Sequence, residues 1–343
     1  EDLEIGQEVD HIWNQANAER SEWLERQDKY ILEVDEFIDP IYEQATDWSS
    51  VIHLPTILTV TQTFHARMFS ALMGIDPPFT VKARKSSNVD RAMLVQELMR
   101  YTLKDWANEY QGVEETVDRW LWDWCLRGSG VLKTRWDRKF VKFMDVEDVQ
   151  VPFTRLETDP ETGQNVAVQD VRTEEREVER VIEKYSCPKM ERVPVEDIVI
   201  VGGEGDPQKA DKVIQTYWYT ASELWQLVDQ KIFRRSAVEK IIQGGEDRMS
   251  TSHGSILKQR QRETSATGSV DKEYDTKKYQ IHEAYLSIDV DGSGIASDVI
   301  VWCHAAGSYD VVRATYLHRV SKSGMVPFFK IDFHKRPDVE WGV

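Results

Sequence analysis

The chain has 343 residues, 41% hydrophobic and 30% charged, which is enough core for about two domains of roughly 150 residues each. Its 60 acids outweigh 43 lysines and arginines for a net charge of −17, and this argues against non-specific gripping of nucleic acid, because affinity for phosphates comes from basic side chains releasing counterions. No run reaches the roughly 18 apolar residues of a membrane span, and the acidic opening at Glu1 is unlike a secretory leader.

The first residue is not Met and the last three are Trp341-Gly342-Val343, so an excerpt of a longer protein is expected. Cys125, Cys187 and Cys303 form no Cys-x-x-Cys pair and no zinc spacing; they point to a reducing compartment, each thiol a small buried apolar group. The acids are uneven. Residues 1–50 hold fifteen against Arg20, Arg26 and Lys29, a balance of −12, and a second concentration runs from Glu157 to Glu183. Such acids keep a surface solvated, and they also suit a surface that a polyanion must pass without sticking.

In chain order, residues 3–36 read as one long amphipathic helix, with Ile5, Val9, Ile12, Trp13 and Ala16, then Trp23, Leu24, Tyr30, Ile31 and Val34 at helical spacing. Asp39-Pro40 ends or kinks it, and Trp48 to Ile52 is a connector. Leu54 to Met73 is the clearest helix: Pro55 suits its first turn, Gly74 closes it, and Ile57, Leu58, Val60, Thr61, Phe64, Met68 and Leu72 form a stripe expected to be buried. Phe79 to Arg84 reads as a short strand. Arg91 to Asn108 is a helix capped by Asn88 or Asp90, with Leu94, Val95, Leu98 and Tyr101 among its apolar positions.

Val117 to Phe140 holds the sharpest change of period. Helical spacing ends at Leu126, Gly128-Ser129-Gly130 follows, and Val131, Leu132, Thr134 and Trp136 are strand-like. Gly128 can take the left-handed conformation that closes a helix, and Gly130 lets the chain turn sharply. Trp120, Trp122 and Trp124 cannot share one helix face, so at least one lies at an interface or against a neighbouring element. Strands are expected near Val131–Trp136, Phe140–Met144 and Val149–Phe153; the turn Asp159 to Gly163 then makes a long hairpin, and Glu174 to Tyr185 is a further exposed strand. Met190 to Val201 is extended and Gly202 to Pro207 is a loop. Ala210 to Tyr219 is a strand whose Thr220-x-x-Glu223 is a capping box in form. A helix spans Ser236 to Gln243, and polar Glu246 to Lys272 reads as a mobile loop. Tyr279–Ile288, Val299–His304 and Asp310–Tyr316 form an antiparallel meander, with Val326–Phe333 a last strand.

Sites of chemistry fail on inspection. Asp289 to Gly294 begins like a calcium loop, but its twelfth position is Ile300 rather than Glu, so a hairpin turn is expected. Gly202 to Gly205 lacks the Gly-Lys-Ser/Thr of a phosphate cradle. His282-Glu283 and Cys303-His304 are isolated pairs on strands, read as structural. The basic clusters Lys82–Lys85, Lys231–Arg235, Lys258–Arg262 and Lys272–Lys278 read as solvated surface, with Lys258–Arg262 able to touch a phosphate backbone transiently. No catalytic residue, cofactor-binding residue or metal ligand is expected.

Four stretches, in order, resemble the portal (head–tail connector) proteins of tailed bacteriophages: FHARMFSALMGIDPPFTVKAR from Phe64 to Arg84, LRGSGVLKTRWD from Leu126 to Asp137, VPVEDIVI at Val193–Ile200 with KVIQTYWYTASEL at Lys212–Leu224, and YQIHEAYLSIDVDGSG at Tyr279–Gly294 with VPFF and RPDVEWGV near the end. The resemblance covers roughly residues 50–343. Portals continue with long helices beyond the point where this chain stops, so stem, crown or barrel parts are expected to lie outside it.

The resemblance implies an α+β subunit of a ring, typically twelve copies, at one capsid vertex: a passage for double-stranded DNA that docks the terminase large subunit, capsid protein and later a tail adaptor. It implies no enzyme, no cofactor and no membrane, with assembly in the host cytoplasm and a final place in the virion. On that basis residues 1–127 are a helical part of wing and body, 128–219 a β-rich hairpin region, 220–272 helices and a polar loop, and 273–343 the meander. The hairpin is expected to be wing rather than clip, because no stem helices bracket it. Two other readings stand beside this one: another structural or adaptor protein of a virion, and an α+β hydrolase acting on carbohydrate, suggested by twelve tryptophans and abundant acids.

Overall fold

A computed structural model describes residues 2–34, 56–75, 78–109, 112–158, 165–244, 278–289, 294–305, 308–333 and Trp341. The expected kink at Asp39-Pro40, the Trp48–Ile52 connector, the Asp159–Gly163 turn and the Glu246–Lys272 loop lie outside these residues. The described elements, in chain order, are α1 (Asp2–Glu19), α2 (Ser21–Val34), α3 (Thr56–Met73), α4 (Val89–Glu109), α5 (Val113–Arg127), β1 (Ser129–Thr158), β2 (Asn165–Val193), β3 (Ile198–Val201), β4 (Lys212–Thr220), α6 (Ala221–Asp229), α7 (Arg235–Gly244), β5 (Lys278–Ile288), β6 (Ser297–His304), β7 (Val311–Tyr316), α8 (Leu317–Val320) and β8 (Phe328–Asp332). The class is α+β, as expected. The chain divides into two compact units, one of Glu1–Thr134 with Met190–Val343, the other of Arg135–Lys189.

The first unit is built on an antiparallel five-stranded sheet in the order β3-β4-β5-β6-β7. Side chains alternate across a strand, so each contributes to two cores. Ile198, Ile200, Val213, Tyr285 and Ile300 face one side, where Val131 of β1, Phe328 of β8, Leu317 and Trp341 cover them. Val199, Ile214, Ala284, Leu286, Val299, Val301 and Cys303 face the other, against Val9 and Trp13 of α1. At one end α6 and α7 pack Leu224, Phe233, Val238 and Ile241 against Tyr279, Ile281 and Val312. The expected capping box is present: Thr220 Oγ1 accepts from the Glu223 N–H at 3.3 Å, while Glu223 accepts from the Thr220 N–H at 2.7 Å.

The single helix expected over 3–36 is two helices, interrupted at Arg20. The Arg20 guanidinium turns inward and donates to the carbonyls of Val195 at 2.7 Å and Glu196 at 3.1 Å. Burial pulls its pKa down to about 10, against the pull of Glu196 and Asp197. Gly128 ends α5 with φ 74° and donates to the Trp124 carbonyl at 3.0 Å, as its sequence position implied. Gly130 does not turn the chain. It lies within β1 opposite Ile331, and a Cβ there would sit 2.9 Å from the Trp120 carbonyl oxygen and 3.0 Å from its indole.

The three short strands expected from Val131 to Phe153 are one continuous β1, and the last strand pairs with β1 rather than extending the meander: Ser129 faces Asp332 and Lys133 faces Phe328. Phe79 to Arg84 is not a strand; its Val81 N–H is taken by the Gln96 side chain at 3.1 Å. Cys303 is buried, its thiol pushed up to about 12, but Cys125 and Cys187 are only half-buried, which corrects the expectation for those two. In the second unit β1 and β2 form a two-stranded ribbon tied across by Trp136 Nε1 donating to Ser186 Oγ at 2.8 Å and by Arg180 pairing with Asp145 at 3.0 Å and with Glu147.

Candidate assembly surface and hairpin root

Ser129 to Lys133 of β1 belong to the first unit, and Lys133 is the last inward-facing residue before the strand leaves it. It shares the inward face with Val131, two positions earlier. Its ammonium uses all three protons: one to the Glu283 carboxylate, one to Gln215 Oε1 at 2.9 Å and one to Tyr217 Oη at 2.7 Å. Tyr285 donates its hydroxyl to the other Glu283 oxygen at 2.7 Å. Burial raises the Tyr285 pKa well above its ordinary value and the Glu283 charge raises it further, so it stays a donor. The Phe328 ring lies 4.9 Å below the ammonium. This is a fully partnered charge in a closed core, with no access for substrate.

The returning strand is held similarly. Arg192, near the end of β2, makes a two-pronged pair with Asp123 of α5, its Nη2 at 2.8 Å from Oδ1. Burial pushes the Asp123 carboxyl up, and the Arg192 bond and charge pull against it. Arg127, one turn further along α5, pairs with Glu196. Ser129 Oγ donates to Asp332 at 2.7 Å. Buried pairs of this kind add little net stability but resist being broken, since losing one partner costs about 3–5 kcal/mol. Sequence reasoning missed them. The signal was faint but present: a period-two register places Lys133 on the face of Val131.

The residues singled out in the sequence are dispersed. His282 is fully buried under α1, its Nδ1 2.8 Å from Thr216 Oγ1 and its Nε2 3.7 Å from Asp10, while His304 bonds Ser308 at 3.0 Å. Gly202 to Gly205 make a tight turn with φ between 55° and 78°, and Lys330 donates to the Gly205 carbonyl at 3.2 Å. Asp289 Oδ2 accepts from the Gly294 N–H at 2.7 Å, a local link of the expected hairpin type. Lys82, Arg84 and Lys85 are exposed; Arg234 pairs with Asp2 at 2.7 Å and Arg235 with Glu239 at 2.9 Å. Lys258–Arg262 and the part of the last cluster before Lys278 lie outside the described residues. Among the described residues no group of three or more His, Cys, Asp and Glu is placed to hold a metal, and no helix is long and apolar enough to cross a membrane.

The unexpected surface is helical. α3 has no buried residue: Leu58, Thr61, Phe64 and Met68 are half-buried, while Ile57, Val60 and Leu72 of the expected stripe stand exposed. On α4 the half-buried positions Ala92, Gln96, Arg100 and Leu103 share one side, and Leu103 packs on Val113, Val117 and Leu121 of α5. Leu94, Leu98 and Tyr101, spaced four and three residues apart, lie roughly opposite and are 71%, 64% and 64% exposed. A helix apolar on opposite sides is one that expects to be covered on both. Trp120, Trp122 and Trp124 are all half-buried, with Trp122 edge-on to His65 at 5.4 Å and Trp124 against Phe64 and Phe333, both at 5.6 Å.

Among its described residues the chain thus combines a mixed α+β unit, a separate two-stranded ribbon and an apolar helical surface left exposed. The chain is a member of the phage portal class: a family model described as phage SU10 portal protein matches residues 13–342, so the chain belongs to that family. A search of curated proteins gave no match. Membership makes it a bacteriophage structural protein of the virion, associated with DNA packaging.

Proposed function

We propose that the chain is the subunit of a closed ring, of about twelve copies as is usual in the family, through which double-stranded DNA enters and leaves the capsid. The family match over residues 13–342 carries this reading. The ring sits at one vertex against capsid protein, docks the terminase large subunit during packaging and a tail adaptor afterwards, and assembles in the host cytoplasm. Residues 128–219 are its β-rich hairpin region, of which 137–201 serve as wing, with 1–127 the helical part of wing and body, 220–272 helices and a polar loop, and 273–343 the meander. The subunit does no chemistry of its own. The net charge of −17 supports a conduit, since a passage lined by lysine and arginine would retain its cargo.

Negative-stain imaging with native mass spectrometry of the purified chain tests the proposal. Rings with a central channel and a single subunit number are expected; a monomer at all concentrations and salt conditions sinks it.

A further inference from the structure

We propose that α1 is an acid-released strap, hinged at Arg20 and closed over the five-stranded sheet while the imidazole of His282 beneath it is neutral. α1 meets its side of the sheet with three buried residues on one stripe, Gly6, Val9 and Trp13. His282 lies on β5, the central strand, fully buried, with the Trp13 ring 4.9 Å from its own. Its Nδ1 bonds Thr216 of β4, and its Nε2 has no hydrogen-bond partner among the described residues. Asp10 of α1 stands 3.7 Å from that nitrogen, beyond hydrogen-bond reach. The other groups around the ring are the Cys303 thiol, directly opposite on β6, and His304 beside it. Glu283, the chain neighbour on β5, is paired with Lys133 on the other side of the sheet. An imidazolium here is a buried charge with one carboxylate at a distance and a second imidazole against it. Burial accordingly pushes the His282 pKa below 6.5, outweighing Asp10.

Water reaches this ring with least disruption when α1 lifts. β5 is hydrogen-bonded along both edges, so exposure through the sheet would break two strand pairings. The ion pairs that hold α1, Asp2 with Arg234 and Glu8 with Lys212, are exposed and therefore weak. The hinge is already in place: α1 ends at Glu19, Arg20 is pinned to the Val195 and Glu196 carbonyls, and α2 is anchored separately by Trp23 against Trp341 at 5.2 Å. An open strap uncovers an imidazole of ordinary pKa together with the Cys303 thiol opposite it. The closed form is thus fully favoured above about pH 6.5 and loses ground as pH falls through the lower closed-state value, by at most about thirtyfold between pH 7.5 and 5.

Cys303 is the reporter. In the whole chain carrying Cys125→Ser/Cys187→Ser, its rate of reaction with 4,4′-dithiodipyridine is divided at each pH by the rate in urea, which removes the pH dependence of the reagent itself. Protection is expected to fall about tenfold or more from pH 7.5 to 5, and by less than about twofold in His282→Gln. Asp10→Asn should keep the full response. Hydrogen exchange of the wild type needs no substitution and carries the test should a variant fold poorly: the amides of α1 should lose protection over the same range while those of β5 and β6 keep theirs. Unchanged or greater Cys303 protection in acid, or α1 and the strands opening together, overturns the strap. So does a response that survives His282→Gln, which belongs to the carboxylates of the Asp2 and Glu8 pairs, or one abolished by Asp10→Asn.

Discussion

Replacing Lys133 by methionine leaves the Glu283 carboxylate buried without its ion-pair partner, held by the Tyr285 hydroxyl and the Arg313 charge, so Lys133→Met should cost about 3–5 kcal/mol in urea unfolding. The double variant Lys133→Met/Glu283→Leu should regain part of that loss, because neither charge is left unpaired although the Tyr285 hydroxyl loses its acceptor; a double variant as unstable as the single would show that the pair itself stabilises. Gly130→Val places a branched side chain against the Trp120 carbonyl and indole, and overpacking of this sort costs about 1–3 kcal/mol. It should lower ring yield in proportion to stability, and a variant that assembles as well as wild type would show that Trp120 yields. His282 carries a pH dependence. Burial lowers its pKa below the ordinary 6.5, with the Asp10 carboxylate, 3.7 Å from Nε2, pulling the other way and His304 lowering it further. The folded chain therefore binds that proton less readily than the unfolded one. Its contribution is complete above about pH 6.5 and is lost as pH falls through the lower folded value. The melting temperature should drop more between pH 7.5 and 5 for wild type than for His282→Gln; equal drops would exonerate the imidazole.

At the scale of elements, Thr220→Ala removes the hydroxyl of the α6 capping box that accepts from the Glu223 N–H, while the backbone N–H of position 220 still donates to Glu223, and it should cost about 1 kcal/mol, read as a lower urea midpoint at unchanged slope. This box was legible in the sequence because all of its atoms lie within four residues. The meander strands and the Gly128 helix end were legible for the same reason. What failed depended on distant partners. The periodicity of residues 3–36 gives no hint that the helix is divided at Arg20, or that the Arg20 side chain there reaches the Val195 and Glu196 carbonyls. β1 looked like three strands because charged residues interrupt its apolar alternation, yet a ribbon solvated on both faces tolerates charge at any position. The stripe on α3 was read correctly as apolar and wrongly as buried, since nothing in a single sequence says whether the covering surface belongs to the same chain. The apolar helical surface was therefore half visible: its residues could be read, its exposure could not.

For the whole molecule, the charge balance makes a direct prediction. The chain should not retard duplex DNA in a gel at physiological salt, and a shift that weakens steeply with added salt would reveal a basic surface strong enough to grip the duplex.

The pairing of β1 with β8 joins residues about two hundred positions apart, Ser129 with Asp332 at its far end. During synthesis the Val131 face of β1 emerges early, and Phe328, which closes the core over it, comes from the ribosome near the end of the chain. Contacts of such long range form slowly. The core closed by Phe328 thus remains open for most of translation, and the first unit is finished only once the last strand has emerged. The order of the strands alone makes the fold of this unit an event that follows synthesis rather than one that accompanies it.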